Sequence, residues 1–110
     1  MAKVLVIISS SDKAKALTGI LWAFNALKHG WVEDLKLVLF GPVEKLVAER
    51  DPDLVNILSL MEPFGGEPIA CRRMAEAGGY LEDLEKTVKT EYVGPMIARL
   101  LEEGYTPLVF

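Results

Sequence analysis

An unbroken apolar run, Val4-Leu5-Val6-Ile7-Ile8, constrains this chain more than any other feature. A strand with one wet face alternates apolar and polar side chains, so a continuous β-favouring run marks a strand covered on both faces. Strands of that kind belong to parallel sheets, whose crossover connections are helices. The rest of the chain supplies such connections. Ser9-Ser10-Ser11-Asp12 offers N-cap candidates, and Leu17, Ile20, Leu21, Phe24 and Leu27 follow at helical spacing up to His29-Gly30. Leu35 to Phe40 repeats the buried-strand pattern, and Gly41-Pro42 opens a second helix through Val43, Leu46 and Val47.

Asp51-Pro52 repeats the cap-and-proline signal, which predicts a break and a further helix through Val55, Leu58 and Met61. Glu67 to Cys71 reads as a short third strand running into a helix from Arg72 to Ala77, stopped by Gly78-Gly79. Leu81 to Leu84 fits one helical turn and Thr87 to Thr90 a short strand. Gly94-Pro95 opens a last helix, Gly104 stops it, and Pro107 to Phe110 reads as the final strand. The expectation is a single domain over residues 1–110 of three-layer α/β/α type, with a mainly parallel sheet of about five strands.

In such a sheet the strand C-terminal ends share one edge, where ligands usually bind. That edge would gather Ser9, Ser10, Ser11, Phe40, Gly41, Cys71 and the Thr90-Glu91 region. Cys71 is the only cysteine. At a strand-to-helix junction, helix N–H groups and the adjacent Arg72 and Arg73 would favour a thiolate, the form that attacks disulfides, persulfides or peroxides. The alternative is a small buried hydrophobe with an inert thiol. With no second cysteine and no Cys-x-x-Cys, a peroxidase or disulfide-exchange cycle lacks its resolving partner, and carriage of a persulfide is the simpler chemistry. The serine run and Gly41 could cradle an anion, although capping is the better explanation of the serines.

Other chemistries are poorly served. One His and one Cys provide no metal-ligand set, and His29 reads as a helix C-terminal residue. Neither a phosphate-loop pattern, a dinucleotide fingerprint nor a Gly-x-Ser-x-Gly elbow occurs. A formal charge of -4 argues against nucleic acid and anionic lipid. No apolar run approaches membrane-spanning length, and Met-Ala-Lys-Val leads into a strand rather than a secretion signal, so the expected location is cytoplasmic. A mean hydropathy of +0.26, with Trp22, Trp31 and Tyr92 available, suggests a homo-oligomer.

The opening KVLVIISSS, the helix ending KHG before LKLVLFGP, the EPIACRRMAEAGG segment, LEDL and the closing EEGYTPLVF together resemble the DsrE/DsrF-like family, which includes sulfur carriers of the DsrEFH and TusBCD type. Cys71 occupies the position where those carriers hold a persulfide. The resemblance implies a parallel-sheet fold, assembly into dimers to hexamers, and transfer of sulfane sulfur between donor and acceptor proteins with no cofactor. The adjoining Arg72-Arg73 pair departs from the pattern, which places arginines a turn or two beyond the cysteine. The competing expectation is a non-catalytic module of the same fold that binds a small ligand or assembles with itself.

Overall fold

The computed structural model describes residues 1–110. Strand β1 (Lys3–Ile8) leads through a serine loop into α1 (Lys13–His29), followed by β2 (Asp34–Leu39), α2 (Val43–Ala48) and α3 (Pro52–Leu60). A short 3-10 turn at Glu62–Phe64 precedes β3 (Ile69–Cys71), α4 (Arg72–Gly78) and α5 (Leu81–Leu84). The chain closes with β4 (Lys89–Glu91), α6 (Val93–Glu102) and β5 (Thr106–Val109). The five strands are ordered β4-β3-β2-β1-β5, and every neighbouring pair is parallel.

Each strand splits its side chains between two layers, as the pleat requires. Val4, Val6 and Ile8 of β1 join Leu35, Leu37 and Leu39 of β2 in a core covered by α1, α2 and α3. Ala75 of α4 and Leu84 of α5 belong to the same core. The intervening residues Leu5 and Val38 face the other way, where α6 covers them with Val93 and Leu100. The result is the three-layer α/β/α arrangement expected from the alternating pattern. The two faces are unequally covered, since a single helix serves the second one. Strand β5 is exposed along its whole length, with Val109 65% exposed.

The helix ends follow local chemistry. Among the candidate caps before α1 it is Asp12 that accepts from the Lys15 amide, and Gly30 takes the left-handed conformation at the other end. Asp51 caps α3 by accepting from the Asp53 and Leu54 amides, with Pro52 at the first helical position. Two boundaries differ from the sequence expectation. The strand expected at Thr87 to Thr90 begins only at Lys89, because the Thr87 and Val88 amides still donate to the Leu84 carbonyl and prolong the α5 turn. Helix α6 starts at Val93 rather than at Gly94-Pro95: buried Val93 opens it, and Pro95 falls within the first turn, where no N–H is required.

Candidate functional site

Cys71 is the last residue of β3 and the N-cap residue of α4, which places it on the C-terminal edge of the sheet. Its side chain lies on the α6 side and packs with Leu5, Val38, Val93 and Leu100. Only 4% of the residue is exposed, so the N-terminal turn of α6 forms part of a cover over the sulfur. Tyr92, at the N-cap of α6, fastens that turn across the junction by donating its hydroxyl hydrogen to the Glu76 carboxylate of α4, at 3.1 and 3.2 Å to the two oxygens.

A second group at this edge had no signal in the sequence. Glu44, in the first turn of α2, is the one buried charged side chain, at 0% exposure. The Gly41 amide donates to its Oε2 at 3.2 Å, while Oε1 has no hydrogen-bond partner. Burial pushes the carboxyl up to about 7 against the pull of the Gly41 amide, the Tyr80 hydroxyl and the Cys71 amide. The last two thus stand close enough to favour the carboxylate without closing on Oε1. Tyr80 is pushed up to about 12, by its own burial first and then by the charges of Glu44 and Cys71. The Tyr80 hydroxyl therefore lies within electrostatic reach of both the buried carboxyl and the thiol.

Gly41 is the hinge of this arrangement. Its φ of 141° lies in the region that favours glycine, and a Cβ there would stand 2.3 Å from the Ser9 hydroxyl oxygen and 2.8 Å from the Ser9 carbonyl oxygen. That close approach lets the β2–α2 loop pass the end of β1 and turn Glu44 inwards.

The remaining sequence candidates fall in different surroundings. Arg72 follows Cys71 directly, but its guanidinium turns to Glu76 at 3.7 Å and Glu85 at 3.5 Å. Arg73 is exposed. The Ser9 and Ser10 amides both donate to the Phe110 backbone oxygen, at 2.7 and 3.3 Å, and the Ser10 hydroxyl accepts from the Asp12 amide. Ser11 is exposed on the same loop. The serine loop is thereby tied to the end of β5 and to α1, and its first two amides are occupied within the chain. His29 stacks on Trp31 at 5.5 Å between ring centroids, away from the cysteine edge. No group of three or more His, Cys, Asp or Glu side chains is placed to hold a metal ion.

No protein-family model matches the chain, and no curated protein matches it. Two solved structures are similar to it in fold. One is a conserved protein of unknown function from Bacteroides thetaiotaomicron, with a TM-score of 0.85 at 22% identity over 98% of this chain and 95% of the other. The other is a protein of unknown function from Methanobacterium thermoautotrophicum, with a TM-score of 0.77 at 21% identity over 100% of both chains. At such identities the likeness establishes the shared α/β/α architecture across the full length of the chain.

Proposed function

We propose that this protein is a cytoplasmic sulfur-relay protein of DsrE/DsrF-like type that carries sulfane sulfur as a persulfide on Cys71. The observation that carries the reading is the position of the only thiol, at the strand-to-helix junction on the C-terminal edge of the sheet. Such a carrier requires one nucleophilic sulfur and partner proteins on either side of it. Its cover suits the task, because a persulfide shielded from water and small thiols keeps its outer sulfur between encounters. The exposed strand β5 and the aromatic groups Trp31 and Tyr92 leave apolar surface for a second copy of the chain or a relay partner.

Exposure of only 4% at Cys71 favours a second reading, in which the thiol is inert packing and the protein is a binding or assembly module. Intact-mass measurement separates the two. Native protein and Cys71→Ser are incubated with polysulfide, or with thiosulfate and a sulfurtransferase, before and after reduction. A reducible gain of one sulfur that requires Cys71 is the expected result. A native thiol that stays unmodified and labels only on unfolding would overturn the carrier reading.

A further inference from the structure

Five strands at a spacing of about 4.8 Å make a sheet roughly 20 Å wide, enough to seat two helices about 10 Å apart on each face. The first face carries α1 beside α2 and α3, whereas the second carries α6 alone. Helix α6 crosses that second face on its way from β4 at one edge to β5 at the other. Its two flanks differ in chemistry. On the β4 side Met96 and Arg99 share a groove with Lys36, Lys89 and Glu91, charged groups at home in water. The opposite flank, towards β1 and β5, presents Gly94, Ile97, Ala98 and Leu101, spaced i, i+3, i+4 and i+7 with no charge among them.

The strip of sheet beside this flank is apolar as well. Pro107 and Val109 pair with Leu5 and Ile7 of β1, whose side chains face the α6 layer, so both point to the same side. Val109 is 65% exposed and Leu101 47%. An open strip about one helix wide therefore lies between α6 and the β5 edge, floored by Ile7, Pro107 and Val109. Strand addition at that edge is poorly served. The Phe110 amide donates to Ile7 and its backbone oxygen accepts from Ser9, so the alternate residues Pro107 and Val109 turn their backbone groups outwards, and Pro107 has no N–H to offer. Contact here falls to side chains rather than to backbone.

The ends of α6 say which partner fits. Its first turn has no acidic residue and its N-cap no side-chain hydrogen bond, while Glu102 and Glu103 stand at its C-terminal end, the wrong pole of the helix dipole for acids. Glu103 is drawn to Arg99 at 3.6 Å, and Glu102 has no cationic partner. We propose that a second copy of this chain lays its own α6 antiparallel into the open strip, about a two-fold axis near Ile97 and Ala98. Each Glu102 then meets the bare N-terminus of the other helix, and each apolar stripe covers the strip of the other copy. The space beside Gly94 is empty within the chain, a Cβ there meeting nothing within 4 Å, which leaves room for that approach. The pairing does not depend on Cys71 carrying sulfur, although it engages the helix whose first turn covers that residue.

Sedimentation velocity between about 1 and 100 μM reads the assembly, with circular dichroism confirming that each variant is folded. Native protein should dimerise within that range. Leu101→Glu and Ala98→Arg alter exposed positions and should each weaken the dimer at least about 30-fold, because a charge is buried without a partner. Glu102→Lys should weaken it about tenfold in dilute buffer, an effect that shrinks in high salt. Leu60→Glu, at an apolar position 46% exposed on α3, should leave the dimer unchanged. Native protein that stays monomeric throughout, an assembly indifferent to both Leu101→Glu and Ala98→Arg, or one broken by Leu60→Glu overturns the proposed surface. Glu102→Lys with native affinity overturns the antiparallel arrangement.

Discussion

Replacing Glu44 by glutamine should flatten the pH dependence of stability between about pH 5 and pH 8. Burial raises the carboxyl from 4.5 to about 7 in the folded chain, so between those values the folded protein holds a proton that the unfolded chain has released. Stability falls with pH wherever the folded state binds the extra proton. The contribution of a raised acid is present in full below 4.5 and is lost as pH rises through about 7. At about 1.4 kcal/mol per pH unit, the loss amounts to about 3 kcal/mol. Glutamine keeps the size of the side chain and an oxygen for the Gly41 amide but does not titrate. Asp51, held below the usual carboxylate range first by its bond with Lys13, acts in the opposite sense. Its contribution is present above its ordinary value of 3.8 and is lost as pH falls, outside the window of interest. Urea unfolding followed by circular dichroism at a series of pH values measures both proteins. The native midpoint should drop towards alkaline pH while that of the variant stays level. Parallel curves of equal slope would refute the reasoning, since the buried carboxyl would then contribute nothing to the linkage.

Two further substitutions probe the surroundings of the same edge. Tyr92→Phe removes the hydrogen bond to Glu76 that fastens the start of α6, and the loss of about 1 kcal/mol should speed native-state labelling of Cys71 by a maleimide about fivefold. An unchanged labelling rate would show that the α6 turn is not the cover that moves. Gly41→Ala brings a Cβ into the Ser9 hydroxyl and carbonyl oxygens at a φ of 141° and should cost about 2 kcal/mol or more in chemical denaturation. A midpoint equal to that of the native protein would refute that account of the loop.

The fold was legible in the sequence because its signals are local. Continuous apolar runs at Val4 to Ile8 and Leu35 to Leu39 report burial on both faces without reference to any other residue. Caps and stops at Asp12, Gly30, Asp51 and Gly79 are written in the conformational preferences of those residues. Cys71 could be placed at the sheet edge by the same means, since a strand followed at once by a helix leaves its last residue at that edge. The short strand β4 was displaced because the bonds to the Leu84 carbonyl that prolong the α5 turn depend on how Leu84 and Val88 are buried.

Glu44 belongs wholly to the tertiary structure. In the sequence, Gly-Pro-Val-Glu-Lys reads as an ordinary acidic first turn of a helix, where a carboxylate is expected in water. Its burial arises only because Gly41 passes close against Ser9 and α2 packs beside α5 on one face of the sheet, bringing the carboxyl towards the Tyr80 hydroxyl and the Cys71 amide, of residues 36 and 27 positions further along the chain. The orientation of Arg72 was decided in the same way, by Glu76 and Glu85 rather than by its neighbour Cys71. Local pattern determined which segments became strands and helices and which residues ended them. The environment of the thiol came from contacts between segments, because burial and proton affinity depend on everything within a few ångströms and not on the order of residues along the chain.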